Sequence, residues 1–231
     1  MRMDSTTLPL HERLLLLVLD GQKGTSRSQF AGTGLAGAVL LDLVRLGSVT
    51  IADQRVTASS GVVAPPGVLS EATALIAGEP KSRTPRWWVD HLPGRMKPFL
   101  PRLSGRLVEC GVLTLEQHKV LGVFSTTRMP ERDRAPEEEL HDRLRAVLVG
   151  ERAPDEADSI LAGLVAALDL IGTVVAKDQR KDAARRAKEL AKGNELGDTV
   201  GQAIKAAQDA VMVAIIASTV ASSAAATSAA T

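Results

Sequence analysis

Hydrophobic positions along this chain recur mostly at helical spacing. Pro9 opens the first run, since proline suits the first helical turn. Leu10, Leu14, Leu17 and Val18 share one face, and Leu15, Leu16 and Leu19 fill the others. A helix that is apolar all round is a buried one. Asp20-Gly21-Gln22-Lys23-Gly24 ends it with turn residues. The pattern predicts a second helix over Gly34–Leu46, closed by Gly47. Two short strands follow, Ser48–Ala52 and Arg55–Ala58, around an Asp53-Gln54 turn. Pro65-Pro66-Gly67 break the chain before a helix over Val68–Ala77. Another helix runs through Leu107 to Gly111. Thr114-Leu115-Glu116-Gln117 has capping-box spacing, and Lys119–Phe124 reads as a strand leading into a loop over Ser125–Ala135. Pro136 with Glu137, Glu138 and Glu139 starts a helix whose acids complement its dipole, a run that reads as a solvated cap; Gly150 ends it. Pro154, Asp155 and Glu156 start the next, running toward Ile171, and a last apolar helix covers about Val200 to Val220.

These elements predict a mainly α chain: a compact helical bundle domain with small β-hairpins, over residues 1–221, followed by a flexible Ala/Ser-rich tail over 222–231. Composition agrees. Aromatic residues make up 2% with no Tyr, so core volume must come from Leu, Val, Ala and Ile, which disfavours a β-sandwich. The net charge of +1 gives no global footprint for nucleic acid. A single cysteine, Cys110, excludes a disulfide framework and reads as a small buried hydrophobe in a reducing, cytoplasmic setting. Met1–Leu19 is interrupted by His11, Glu12 and Arg13 and does not read as a signal peptide. Neither Ile160–Ala176 nor Ala210–Ala221 reaches the roughly 20 apolar residues of a membrane span, so any membrane contact is expected to be peripheral.

Candidate chemistry narrows the picture further. Gly32-Thr33-Gly34-Leu35-Ala36-Gly37 matches the dinucleotide fingerprint in letters, but that site requires a buried strand running into the first glycine. Here a polar loop, Gly24–Ala31, precedes it, so a nucleotide-binding protein is the least favoured reading. Leu103–Phe124 has the outline of a helix-turn-helix with a wing. Its would-be recognition helix opens with Glu116 and Gln117 and carries only His118 and Lys119, so no nucleic-acid partner is expected. The histidines His11, His91, His118 and His141 lack ligand spacing. No catalytic constellation, metal or cofactor is expected. The strongest binding signal is the basic stretch Lys81–Arg106, which holds Arg86, Trp87 and Trp88. Arginines pair with phosphates and tryptophan favours membrane interfaces; the other reading is a solvated basic loop with both rings in the core. Lys177–Lys192 is a second basic stretch.

Several segments in series resemble the Golgi phosphoprotein 3 family, in the form of a bacterial member. They are Leu8-Pro9-Leu10-His11-Glu12 through Leu19-Asp20, Gly34-Leu35-Ala36-Gly37 through Leu46-Gly47, Arg106-Leu107-Val108-Glu109-Cys110-Gly111-Val112-Leu113-Thr114, and Ile160-Leu161-Ala162. The resemblance implies a non-enzymatic, mainly helical adaptor, peripheral on the inner face of a membrane, that recognises a phosphatidylinositol 4-phosphate-like headgroup. It also implies protein tails as partners and self-association. A protruding membrane hairpin falls by register near Val174–Arg185, where Val174 and Val175 would insert while Lys177, Arg180 and Lys181 meet headgroups. The family's four headgroup positions read Arg27, Ala36, Asp155 and Asp158 here, so that pocket is not preserved; Arg27, Lys23 and Arg152 are the candidates to replace its cations. The alternative is a soluble interaction module that kept the fold and lost the lipid.

Overall fold

The all-round apolar pattern of the first helix places it at the centre of the molecule. In the computed structural model, which describes residues 5–120, 124–192, 206–215 and 217, every residue of α1 (Leu10–Val18) is buried. Its polar side chains are each satisfied: His11 by Asp42, Glu12 by Arg106, and Arg13 by the carbonyls of Leu8 and Thr6. Burial without such partners would cost several kcal/mol per charge, on the order of 3–5.

Around α1 pack α2 (Ala31–Arg45), α7 (Ala135–Val149) and α8 (Glu156–Ala167). Between α2 and α7 run β1 (Val49–Ala52), β2 (Arg55–Ala58), α3 (Val68–Ala77), α4 (Pro85–Arg95), α5 (Phe99–Leu103), α6 (Gly105–Glu109), β3 (Glu116–Val120) and β4 (Phe124–Arg128). After α8 come α9 (Ile171–Val174) and α10 (Arg180–Lys192), and residues 206–215 form a further helical segment. The chain is mainly α, with two antiparallel two-stranded sheets, β1–β2 and β3–β4, among the described residues. Val49 pairs with Ala58 and Ala52 with Arg55, across a turn in which Asp53 and Gln54 both take positive φ.

The structure departs from the sequence reading at several points. α2 begins at Ala31, so the glycine motif lies inside a helix. No strand precedes Gly32 and no parallel pair exists among the described residues, which removes the nucleotide-binding reading. Gly34 and Gly37 have packing roles instead: a Cβ at Gly34 would meet Leu168 at 2.7 Å, and one at Gly37 would meet Val211 at 2.0 Å. The expected capping box at Thr114–Gln117 is the start of a strand, because Thr114 N–H donates to the Pro130 carbonyl and β3 pairs with β4. With Glu116 and Gln117 in a strand, the helix-turn-helix outline disappears. Cys110, expected in the core, is exposed just past the end of the short α6. Helix α8 stops at Ala167 rather than Ile171, where Asp169 takes positive φ.

The basic stretch holds a helix the pattern did not predict. Thr84 caps α4 by accepting from the Trp87 N–H, and Pro85 occupies its first turn. Trp88 is buried in the core, and Trp87 packs partly buried against it. In place of the protruding hairpin at Val174–Arg185, the chain forms α9, a turn and the start of α10, with Val174 and Val175 buried. Only residues 206–215 and 217 of the last expected helix are described, and the 222–231 tail lies outside the described residues.

Candidate functional site

Pro9 provides no side-chain cap for α1, and Asp42 of α2 supplies one instead. Its carboxylate accepts from the Leu10 N–H at 2.9 Å and the His11 N–H at 3.0 Å, and takes His11 Nδ1 at 2.7 Å. This fixes His11 with Nδ1 as donor and leaves Nε2 3.9 Å from Glu12 Oε1; His11 lines the floor of an open cleft of about 970 Å³. The cleft is bounded by the start of α1, the end of α2, the Pro65–Val68 segment, and α5 with α6.

Its polar lining sets the arginines Arg13, Arg45, Arg102 and Arg106 against the carboxylates Glu12, Asp42, Glu109 and Glu156. Arg106 donates from Nε to Glu12 at 2.8 Å and makes a second, close contact through Nη2; these hydrogen bonds hold its guanidinium above the usual value. Arg102 meets Glu71 through Nη2 at 2.7 Å, and Arg45 Nε faces Glu156 at 3.4 Å. A guanidinium carries five N–H donors in a planar fork, so a single carboxylate orients each of these rim arginines without exhausting it. Glu109 is the exposed acid of the lining. The cleft is therefore an open concavity whose exposed arginines, Arg45, Arg102 and Arg106, are each held by one carboxylate. Sequence reading missed it: Arg106 and Glu12 are 94 residues apart, and no local pattern joins them.

None of the site residues read from sequence lines this cleft. Arg27 is directed at Glu137 (Nη1 to Oε1 3.3 Å), with the Leu17 carbonyl at 3.4 Å. Lys23 lies exposed on the turn after α1, its N–H given to Asp20. Trp87, Trp88 and Arg86 do come together on α4. Trp87 stacks on His91 at 4.2 Å, with the guanidiniums of Arg83 and Arg95 over its ring at 4.6 and 4.9 Å. Those two arginines share Glu79, whose carboxyl the Arg83 hydrogen bond holds below its usual range. Arg86 pairs with Asp90 and also donates to the Val213 carbonyl. Arg83, Arg86 and Arg95 are thus each paired with a carboxylate of the chain.

The four family-type positions do not form an open pocket. Ala36 is fully buried in α2. Asp155 and Asp158 form a reciprocal capping box for α8, and Arg143 clamps both, with Nε to Asp158 at 2.6 Å and Nη2 to Asp155 at 2.6 Å. Arg152 is exposed between α7 and α8, while Lys177, Arg180 and Lys181 are exposed around the start of α10, where Arg180 donates to the Gly172 carbonyl.

A second titratable cluster lies beside Arg27. Glu137, the first acid of the run expected to be solvated, is buried, facing Arg27 and His141. Glu131 packs against Gly21; neither of its oxygens is hydrogen-bonded, and Arg134 Nε stands 3.9 Å from Oε2. Burial, and the adjacent Glu137, push the Glu131 carboxyl up to about 8. Burial also raises Glu137, but His141 at 3.6 Å, the neighbouring Glu131 carboxyl and the charge of Arg27 prevail and hold it at about 2. Between the ordinary carboxyl value of 4.5 and about 8, the folded chain holds a proton that the unfolded chain has released. Stability attributable to Glu131 therefore falls as pH rises through that window. Glu131→Gln, which keeps a donor and cannot ionise, is expected to flatten this decline and raise the melting temperature at pH 8 by roughly 3–6 °C, about 1–2 kcal/mol. Calorimetry of both proteins across the window checks it; parallel declines would remove Glu131 as the cause.

Among the described residues, no group of three or more His, Cys, Asp or Glu could hold a metal, and no helix is long and apolar enough to cross a membrane. The family model described as Golgi phosphoprotein 3 matches residues 10–211, most of the chain. No curated protein matches it.

Proposed function

Because this chain belongs to the Golgi phosphoprotein 3 family, a non-enzymatic one, we propose that it is a peripheral adaptor that binds anionic lipid headgroups on a membrane surface. The observation that carries this reading is the arginine-rimmed cleft. Arg45 and Arg102 are held at its mouth by single carboxylates, with N–H donors to spare. Headgroup phosphates of the phosphatidylinositol 4-phosphate type fit that chemistry. The exposed Lys177, Lys181 and Arg152 add a diffuse attraction, each basic side chain contributing roughly 1 kcal/mol near an anionic surface.

The test is co-sedimentation with vesicles carrying phosphatidylinositol 4-phosphate, plain phosphatidylinositol, cardiolipin or neutral lipid only, at low and high salt. The expected result is pelleting with anionic vesicles, and an Arg45→Ala/Arg102→Ala variant about tenfold weaker. Headgroup preference would mark the cleft as a selective site; uniform, salt-sensitive binding would mark a basic surface.

The Arg143 clamp on Asp155 and Asp158 favours a second reading, a soluble module that binds protein tails or a second copy of itself. At two of the four positions where the resemblance would place headgroup-binding residues stand aspartates held by the chain's own Arg143. Failure to pellet with any vesicle would select that reading.

A further inference from the structure

Residues 59–67 join β2 to α3 and run past the mouth of the arginine-rimmed cleft. The loop leaves the hairpin beside the end of α2, where the Ser59 N–H donates to the Ser48 carbonyl at 2.9 Å. It returns through Pro65, Pro66 and Gly67, which line the cleft. Between these two fixed points Val63 is 92% exposed and Val62 40% exposed, and Leu46, another lining residue of the cleft, is 43% exposed.

Single exposed apolar side chains are ordinary on a protein surface. A pair of valines held outward by a stiff backbone is different. Gly61 and Gly67 take positive φ at 86° and 105°, two prolines restrict the return, and Ala64 is buried as an anchor between them. The loop is thus fixed at its base while its apolar tip faces water. The segment is also free of carboxylates: no Asp or Glu occurs from Gln54 to Ser70. Within the loop itself no carboxylate opposes approach to an anionic surface; at the adjoining cleft Arg45 and Arg102 stand paired with Glu156 and Glu71, and their remaining N–H donors are the ones a phosphate would meet.

We propose that the 59–67 loop is a membrane wedge, with Val62 and Val63 entering the acyl layer of an anionic bilayer while Arg45 and Arg102 meet its phosphates. This rests on the membrane reading above. It assigns penetration to a segment far in sequence from Val174 and Val175, which are buried.

The experiment places an environment-sensitive fluorophore at the tip, through Val63→Cys in a Cys110→Ser background. A matched label at Thr126→Cys, exposed on β4, serves as control. Mixed with phosphatidylcholine vesicles containing phosphatidylserine, the tip label is expected to shift to the blue and to be quenched by spin-labelled acyl chains, while the control stays aqueous. Val62→Ser/Val63→Ser is expected to bind those vesicles about tenfold more weakly at high salt, where the apolar contribution dominates. If the protein pellets with vesicles and the tip label does not move, the wedge falls and the membrane reading stands. If nothing pellets, both fall. If the tip label shifts with rising protein concentration and no lipid, a second copy of the chain covers the valines and the wedge is overturned.

Discussion

Replacing Arg143 with methionine is expected to lower folding stability by about 3–5 kcal/mol, the cost of leaving a buried charge unpaired. Asp158 is 2% exposed, and Arg143 approaches its two oxygens from Nε at 2.6 Å and Nη2 at 2.8 Å. Without that fork, the carboxylate is left with the Asp155 N–H at 3.1 Å, the amino-terminal end of α8 and the more distant charge of Arg13. The neutral variant Asp158→Asn should recover much of the loss when combined with Arg143→Met. The double-mutant cycle then isolates the pair from the packing of the arginine stem. Urea unfolding of the four proteins measures it. A single-variant loss below about 1 kcal/mol would mean that the cap alone holds Asp158. The same cycle bears on the soluble-module reading, because Arg143→Met removes the cation that now occupies both aspartates.

The second large effect is expected along α2, where three glycines that resemble a nucleotide fingerprint face three different surroundings. A methyl at Gly37 would lie 2.0 Å from a methyl of Val211 and 3.1 Å from its Cβ, so the 206–215 segment must move away. Gly37→Ala is expected to cost about 2–3 kcal/mol, in the range of overpacked cores. Gly34→Ala meets the tip of Leu168, at 2.7 and 2.9 Å, and a leucine tip can rotate, so about 1 kcal/mol or less is expected. Gly32 has nothing within 4 Å of the added carbon and lies in the first turn of α2; Gly32→Ala is expected to stabilise by about 0.5 kcal/mol through the unfolded chain. The rank order, read from thermal or urea unfolding, is the test. Equal losses at all three positions would contradict the packing account.

Much of the fold was legible because local chemistry and burial agree there. The apolar run of α1, the Asp53-Gln54 turn, and the left-handed Gly150 that ends α7 each carry their own signal. Helix α4 had one too, Thr84 followed by Pro85, but the density of arginines drew the reading toward a loop. The strand expected over Lys119–Phe124 starts earlier, at Glu116 in β3, and the loop expected from Ser125 begins as β4, because capping-box spacing at Thr114–Gln117 is a weak motif that the pairing of the two strands overrides. The cleft was not legible at all. Its rim depends on ion pairs between Arg45 and Glu156, Arg102 and Glu71, and Arg106 and Glu12, and such pairs leave no periodic trace in a sequence. Glu137 misled for the same reason: a run of three acids looks solvated until Arg27, 110 residues away, is folded against it.

The tryptophan pair on α4 also determines what an optical measurement on this protein reports. With no tyrosine in the sequence, near-ultraviolet absorbance and intrinsic emission arise almost wholly from two neighbouring indoles, their rings edge to face at 5.1 Å. One is sealed in the core against α2, and the other lies stacked under His91 between two guanidiniums. Light emitted by the whole chain therefore comes from one helix, and Arg86 ties that helix to the 206–215 segment through the Val213 carbonyl. A change in emission reads the seam that joins α2, α4 and this last segment. Events at α7, α8 or the Val62–Val63 loop are silent in that signal until the seam itself opens.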